Sequence, residues 1–298
     1  MLDYKTACAV AMIVQTGSFE GAARALNVTP SAISQRVKQL EERLGAVLVE
    51  RGVPCVATEK GAWLCRHVEH VGMLEKALTD HLPELRAPAS PMQRVTLNVA
   101  TNADSLGTWF IEAVAAFTQE TDYLLNVAID DEDHTADWLR RGRVLAAVTA
   151  LAKPVTGCQV RPLGRLRYLA TASPGYMTRH LPAGVTLEAI AAAPGLTFDR
   201  KDSLQHLWMR ATFGRSVSYP SHWLPSTQSF VAACLAGVGW AMNPVQLVRE
   251  HLDAGRLVEL VPDASLARPL YWQVNRLASE QLSGLTRAVV SAARHALT

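Results

Sequence analysis

Cysteine is scarce in this sequence, and its five cysteines are odd in number and widely spaced. Cys8, Cys55, Cys65, Cys158 and Cys234 form no CxxC pair. This spacing excludes a disulfide-rich scaffold and offers no structural zinc motif, so we expect free thiols that pack as small hydrophobic side chains. A reducing, cytoplasmic compartment fits this usage best, and neither a metal ion nor a cofactor is predicted.

Segments that enter or cross membranes are also missing. The sequence has no run of about 18 uninterrupted apolar residues. Its first ten residues, MLDYKTACAV, have neither the basic start nor the apolar stretch of a signal peptide. We therefore expect no membrane partner. Apolar residues nevertheless make up 49% of the 298 residues, which is enough for full-sized cores and predicts two or three domains.

The sequence also lacks an excess of positive or negative residues, since the formal net charge is only +2. The first 86 residues hold ten Lys or Arg and ten Asp or Glu, so this region is neutral. Non-specific DNA affinity comes mainly from the neutralisation of phosphates, and a weakly specific nucleoid-type protein is therefore the less favoured alternative. Any DNA binding must depend on helix geometry and on the position of individual charges.

Catalytic motifs are missing too. The sequence contains no GxSxG, HExxH or P-loop motif and no glycine-rich dinucleotide turn after a strand. An enzyme is therefore not predicted. A transport protein that binds solutes is also disfavoured, because it would need a signal peptide.

Residues 18–44, SFEGAARALNVTPSAISQRVKQLEERL, predict a helix-turn-helix. Two segments with helical spacing flank a polar turn, and the positions expected to face inward are Phe19, Ala22, Ala23, Leu26, Ile33, Val37, Leu40 and Leu44. Ser18 and Thr29 can cap the two helices, and Pro30 then takes the first position of the second. The second helix of such a motif can enter the DNA major groove.

The flanking segments extend this motif. A helix is predicted over 4–16, and an alternating stretch at 47–57 predicts a small β-hairpin, or wing. A long helix over 58–86 then carries an apolar stripe. This stripe predicts pairing with a second copy of the chain, and packing against its own chain is the alternative.

A proline-rich hinge at 87–92 precedes a region in which strands alternate with helices. Strands are expected at 95–100, 124–129 and 144–149, and helices at 106–118 and 134–141. This order predicts βαβ units around a buried parallel sheet. A second set of elements follows over 166–265, and a last strand at 270–274 and helix at 280–296 are expected to return to the first set.

The N-terminal residues resemble a known family. The run AARALNVTPSAISQRVKQLEERLG, followed by LVER and TEKG, is similar to the winged helix-turn-helix of LysR-type transcriptional regulators. The resemblance covers the whole chain, because that family joins its DNA-binding domain through a linker helix to two Rossmann-like lobes resembling periplasmic binding proteins. Further residues resemble the ArgP (LysG, IciA) branch, and these are Asn102-Ala103-Asp104-Ser105-Leu106, Thr108-Trp109, Asp130-Asp131-Glu132, Phe198-Asp199 and Leu270-Tyr271-Trp272.

The resemblance implies a specific organisation. The fold is expected to be an N-terminal winged helix-turn-helix with a long linker helix, plus an α/β two-lobed sensor domain like a periplasmic binding protein. The expected boundaries are 1–57 for the DNA-binding domain, 58–86 for the linker (dimerisation) helix, 87–92 for the hinge and 93–298 for the effector-binding domain. Within that domain, lobe I spans about 93–165 and 266–298, and lobe II about 166–265.

The same resemblance implies a function. The branch senses lysine and arginine and commonly controls basic amino-acid export or related metabolism. We therefore expect a ligand-responsive regulator that binds double-stranded operator DNA as a homodimer or homotetramer, with RNA polymerase as a further partner. A LysR-type regulator that responds to a different small metabolite is the alternative.

Outward positions of the second helix are the candidates for DNA contact, together with one wing residue. They are Thr29, Pro30, Ser31, Ser34, Gln35, Arg36, Lys38 and Arg51. Gln35 can bond adenine in a bidentate manner, and the two serines are compatible with several bases. Arg36, Lys38 and Arg51 are better placed for phosphates, which position the protein without specifying sequence. Solvation of a surface helix is the alternative role for the charged residues.

Polar residues at the carboxyl ends of strands are the candidates for effector binding. They are Asn102, Asp104, Ser105, Asp130, Glu132, Thr149 and Asp199. Open α/β sheets bind ligands at this edge. Ser105 and free N–H groups of the following helix can hold an α-carboxylate, and the carboxylates match a cationic head group. Solvated loop charge is the alternative for the acidic run at 130–133.

Overall fold

The computed structural model describes residues 2–85, 95–131 and 133–298. The predicted hinge at 87–92 and Glu132 lie outside these residues. The chain divides into two compact units, Met1–Leu97 and Asn98–Thr298. Over the described ranges, every helix is too short or too polar to cross a membrane.

The described part of the first unit contains four α-helices and a two-stranded hairpin. Its elements are α1 (Tyr4–Thr16), α2 (Phe19–Ala25), α3 (Pro30–Leu44), β1 (Val49–Glu50), β2 (Val56–Ala57) and α4 (Glu59–His81), followed by a 3₁₀ turn (Pro83–Leu85). The core is built by one face each of α1, α2 and α3, including Val10, Ile13, Ile33 and Val37. The predicted helix-turn-helix is therefore confirmed.

Local signals in the sequence determine where these helices begin and end. The Ser18 hydroxyl accepts a hydrogen bond from Gly21 N at 2.9 Å, and Thr29 Oγ1 accepts one from Ala32 N at 3.2 Å. Gly45 ends α3 with a φ of 61°, a left-handed conformation that glycine adopts without strain. The prediction that Leu44 faces inward was wrong. Leu44 is 51% exposed, because the buried face of α3 ends at Leu40 and the residues of its last turn are exposed.

Hydrogen bonds tie the wing to the helices on either side of it. Glu41 Oε1 accepts from Leu48 N at 2.7 Å, Cys55 N donates to Gly17 O at 2.8 Å, and Thr58 Oγ1 donates to Val47 O at 2.8 Å. Each wing strand has only two residues, fewer than the alternating pattern predicted. The linker helix ends at His81, five residues before the predicted boundary at 86, because the 3₁₀ turn follows it.

The second unit mixes strands and helices along the chain. Its elements are β3 (Thr96–Thr101), α5 (Ala103–Thr108), α6 (Phe110–Glu120), β4 (Leu124–Ile129), α7 (Thr135–Arg140), β5 (Ala146–Thr149), β6 (Cys158–Ala172), α8 (Pro174–His180), α9 (Leu187–Ala192), β7 (Gly195–Thr197), α10 (Leu204–Phe213), β8 (Ser221–Trp223), α11 (Thr227–Leu235), β9 (Ala241–Pro244), α12 (Val245–Asp253), β10 (Val258–Glu259), β11 (Leu266–Asn275), a 3₁₀ turn (Arg276–Ala278) and α13 (Ser283–Ala296).

One sheet joins two lobes. Its strand order is β10-β6-β11-β5-β3-β4, and β9 also pairs with β6. Lobe I contains β3, β4 and β5 with α5, α6, α7 and α13, and lobe II contains the elements from α8 to β10. The long antiparallel strands β6 and β11 belong to both lobes, because β11 pairs with β5 and β6 pairs with β9.

Two details differ from the sequence prediction. The helix expected at 106–118 is two helices, α5 and α6, which meet at the buried Trp109. Strand β6 begins at Cys158 and not near 166, so the expected lobe boundary falls inside a strand. Gly164 (φ 127°) pairs with Leu270 beside a bulge of β11 between Leu270 and Tyr271. The parallel pairing of β3 with β5 is confirmed, whereas the neighbours of β6 are antiparallel.

Candidate functional site

The outer face of α3 presents polar side chains. Ser31, Gln35 and Lys38 are exposed, and Ser34 and Arg36 are partly buried. The opposite face holds Ile33, Val37 and Leu40 in the core. Because the buried face fixes the rotation of the helix, Ser31, Gln35 and Lys38 lie on the opposite surface, which is exposed.

The two cations near this surface make only weak contacts within the protein. Lys38 Nζ lies 3.7 Å from Glu42 Oε1, and both side chains are highly exposed. The Arg51 guanidinium stacks over the Phe19 ring at 4.9 Å from its centroid. Exposed pairs of this kind contribute little to stability, so both cations remain available to phosphates.

Helix α4 carries an exposed apolar stripe. Its side chains are between 47% and 63% exposed, and they are Trp63, Leu74, Leu78, Leu82 and, in the turn beyond the helix, Leu85. Met73, by contrast, is buried. An apolar stripe of this length on one helix is typical of a surface that pairs with another chain.

A cleft in the second unit is lined by both lobes. Its polar lining includes Asn102, Asp104, Asp130, Asp131, Asp202 and Thr227. The apolar part of the lining is formed by Phe198, Leu204, Phe230 and Met242. Four carboxylates therefore surround one cleft, and their shared negative charge favours a cationic ligand.

Asp104 lies at the start of α5 and contacts the other lobe. Thr227 Oγ1, at the first position of α11, donates a hydrogen bond to Asp104 Oδ1 at 2.7 Å. Burial raises the pKa of Asp104 to about 6, and the charges of Asp202 and Asp131 add to this increase. The hydroxyls of Thr227 and Tyr168 act in the opposite direction. A bound cation would relieve the unfavourable charge at this position.

Asp130 follows β4, and all its close contacts are donors. Its Oδ1 accepts from Lys201 Nζ at 2.9 Å and from Asp131 N at 3.0 Å. Its Oδ2 accepts from Trp138 Nε1 at 3.1 Å. Burial opposes ionisation, but the Lys201 and Trp138 hydrogen bonds outweigh it and lower the pKa of Asp130. Asp130 is therefore held as a carboxylate.

Asp131 and Asp202 are fixed by their own loops. Asp131 Oδ1 accepts from Asp133 N at 2.8 Å, and burial raises the pKa of Asp131. Asp202 Oδ2 accepts from Phe198 N at 2.9 Å and from Gln205 Nε2 at 3.0 Å. Both carboxylates are thus held rigidly toward the cleft.

Comparison with known proteins decides the family. Residues 7–62 match the profile of the bacterial regulatory helix-turn-helix protein, lysR family, and residues 92–298 match that of the LysR substrate binding domain. The chain belongs to the LysR family.

Three relatives show how far the similarity of this LysR-family chain extends. The HTH-type transcriptional regulator LysG of Mycobacterium tuberculosis is 44% identical over 98% of this chain and 94% of its own length. ArgP from Mycobacterium tuberculosis, known from a crystal structure, is 42% identical in sequence. Its structure matches this one with a TM-score of 0.76, and the match covers 100% of this chain and 99% of that one. Full-length LysG from Corynebacterium glutamicum, with bound effector Arg, is 36% identical with a TM-score of 0.66 and covers 99% of both chains. The resemblance to the ArgP and LysG branch is therefore confirmed.

Only some of the predicted effector residues of this LysR-family chain line the cleft. Asn102, Asp104 and Asp130 line the cleft. Ser105 and Thr149 are completely buried, and Thr149 Oγ1 accepts from Leu151 N at 3.1 Å. Asp199 lies outside the cleft lining and accepts from Lys201 N at 2.7 Å and Asp202 N at 3.1 Å, which holds the turn together. Glu132 lies outside the described residues.

From lobe II, sequence reasoning proposed only Asp199 and missed Asp202, Thr227 and Lys201. These three residues follow β7 or begin α11. They lie more than 70 residues from Asp104 and Asp130 along the chain and are brought near them by the shared sheet. The acidic and basic run Asp199-Arg200-Lys201-Asp202 at the end of β7 was the available signal. No group of metal-ligating side chains occurs among the residues that the structure describes, and all five cysteines are free.

Proposed function

We propose that this LysR-family regulator senses a basic amino acid and controls transcription from operator DNA. The observation that carries the proposal is the convergence of Asp104, Asp130, Asp131 and Asp202 on one cleft. The Corynebacterium glutamicum relative, which has arginine as its bound effector, supports the same ligand class. Genes for amino-acid export or metabolism are the proposed targets.

The cleft suggests a division of roles. The side-chain cation of lysine or arginine pairs with Asp130 and Asp131, and the α-ammonium group pairs with Asp104 and Asp202. Asn102, which lines the cleft, serves the α-carboxylate. Asp199, in the turn that also holds Asp202, adds negative charge that raises the local concentration of cations.

The two lobes couple this ligand to DNA. As in periplasmic-type binding domains, a ligand that contacts both lobes favours their closed arrangement over the open one. That shift is transmitted to the paired DNA-binding domains of an oligomer. The boundaries proposed for these parts are 1–57, 58–86, 87–92 and 93–298.

The first unit supplies the DNA contacts. Ser31, Ser34 and Gln35 read base edges, with Thr29 and Pro30 at the start of the helix, and Arg36, Lys38 and Arg51 hold phosphates. The exposed stripe of α4 pairs two chains as a dimer, from which a tetramer is assembled. The protein acts in the cytoplasm with RNA polymerase as a further partner, and it has no enzymatic activity.

A thermal-shift screen of the twenty amino acids tests the effector class. A ligand that binds only the folded state raises the midpoint of unfolding by mass action. We expect lysine or arginine to give the largest shift. No shift with lysine, arginine or histidine, together with a shift from a neutral amino acid, would refute the proposed effector and leave the DNA-binding function in place.

A further inference from the structure

One lysine spans the cleft between the two lobes. Lys201, in the turn after β7 of lobe II, places its ammonium nitrogen 2.9 Å from Oδ1 of Asp130 in lobe I. The lysine side chain is 46% exposed and that of Asp130 only 18%. A mobile cation of the chain itself therefore rests on a fixed and mostly covered carboxylate.

Asp130 differs from its acidic neighbours in the kind of partner it has. Asp202 accepts from backbone and amide groups of its own lobe, and Asp131 contacts the backbone and the His134 ring of its own turn, whereas Lys201 reaches Asp130 from the other lobe. Trp138 and the backbone of Asp131 likewise hold Asp130 in place. Lys201 is the partner that can leave, because it is the exposed end of a flexible side chain.

We propose that Lys201 is a built-in competitor that occupies the position of the ligand's side-chain cation on Asp130 until a basic amino acid displaces it. This inference rests on the proposed function and assigns a specificity-determining residue within it. A ligand that carries a cation restores the charge pair that it breaks. A neutral ligand of the same shape cannot replace the ammonium group, so it leaves Lys201 on Asp130 and binds without contact to that carboxylate.

The covalent attachment of Lys201 to the chain makes it an effective competitor. The lysine is attached a few bonds from the cleft, so its local concentration near Asp130 is far above that of a free ligand. A ligand therefore binds more weakly than it would to an empty carboxylate. The Lys201–Asp130 ion pair is partly exposed, so the free energy needed to break it is small enough for a ligand to supply.

The test is calorimetric titration of the full-length protein with L-arginine and with L-citrulline, its neutral analogue. The variants are Lys201→Met, Lys201→Arg and, as a matched control, Lys153→Met. Lys153 is exposed, lies in the same unit and does not line the cleft. We expect Lys201→Met to bind arginine about two- to fivefold more tightly than wild type, with citrulline unchanged. Lys201→Arg and Lys153→Met should both behave like wild type.

Other results overturn the inference in distinguishable ways. Weaker binding of arginine to Lys201→Met would mean that the ion pair closes the lobes over the ligand. Equal tightening for citrulline, or the same gain in Lys153→Met, would show that cation exchange is not involved. If wild type and Lys201→Met bind arginine equally, the inference fails while the proposed function stands. If neither binds arginine or L-lysine, both fail.

Discussion

The hydroxyl of Thr227 donates to Asp104 Oδ1 at 2.7 Å and joins lobe II to lobe I across the cleft. The bond places a carboxyl group with a raised pKa at the contact between the lobes. Its ionisation therefore bears both on stability and on ligand binding.

Replacing Asp104 by asparagine should stabilise the ligand-free protein at neutral pH. Burial raises the folded pKa to about 6 from an ordinary value of 3.8, so the folded state retains a proton that the unfolded chain releases. The free energy of unfolding of the wild type therefore falls as pH rises through this window. Asparagine does not titrate, and its carbonyl can still accept from Thr227. The gain should reach about 1–3 kcal/mol above pH ~7.

Chemical denaturation of both proteins at several pH values checks this. The difference between Asp104→Asn and wild type should grow from pH 4 to 6 and then remain constant. Arginine affinity should fall in the same variant, because the α-ammonium group loses its counter-ion. A difference in stability that is independent of pH would show that Asp104 titrates normally.

Gly61 is a position where alanine should not be tolerated. A Cβ atom there would lie 1.9 Å from the carbonyl oxygen of Leu48, because the first turn of α4 passes directly against the wing. We expect Gly61→Ala to destabilise the first unit by about 3 kcal/mol through this overlap. Loss of helical circular dichroism in urea reports the change.

Gly72 of the same helix is the matched control. A Cβ at this position would meet only a Val95 methyl group at 3.9 Å. Gly72→Ala should therefore stabilise the protein slightly, by about 0.5–1 kcal/mol, since alanine favours a helix interior. Equal effects of the two substitutions would contradict the close approach of α4 to the wing.

Gln35→Ala should weaken specific operator binding by about 1–3 kcal/mol, because a bidentate base contact is lost. Binding to unrelated DNA should hardly change. A gel-shift titration with operator and with random duplex measures both affinities. An unchanged ratio between them would remove Gln35 from base recognition.

Lys38→Ala should affect DNA binding in a different way from Gln35→Ala. Lys38 is exposed and only loosely paired with Glu42, so its charge serves phosphates. We expect weaker binding to all DNA and a slope of affinity against salt concentration that is smaller by about 1. A loss confined to operator DNA would instead indicate that Lys38 reads bases.

Leu78→Glu should separate the oligomer without unfolding the chain. Leu78 is 50% exposed, so the charge costs little in a single chain but is unfavourable at a pairing surface. Size-exclusion chromatography with light scattering should show a smaller species, with weaker operator binding. Glu75→Gln, at an exposed neighbouring position, should keep the wild-type mass. If Leu78→Glu also keeps the wild-type mass, the apolar stripe of α4 does not pair two chains.

The sequence predicted the first unit well because its signals are local. Ser18, Thr29 and Gly45 end or begin helices through contacts with residues three or four positions away. Leu44 was misplaced since periodicity gives the rotation of a residue but does not show where the core ends.

The predicted residues that line the cleft all belong to lobe I, because Asp199 of lobe II lies outside its lining. Asn102, Asp104 and Asp130 follow strands whose pattern is plain in the sequence. Asp202 and Thr227 are brought to them by β6 and β11, which cross between the lobes, and this pairing of distant residues has no local signal. The buried position of Ser105 likewise follows from tertiary packing.

The most direct test of the account is calorimetric titration of the wild-type chain with L-lysine and with L-norleucine, which has no side-chain ammonium group. If Asp130 and its neighbours bind the ligand's cation, lysine should bind at one site per chain and norleucine at least about tenfold more weakly. Equal affinity for the two would contradict the assignment of the acidic cleft to a basic amino acid.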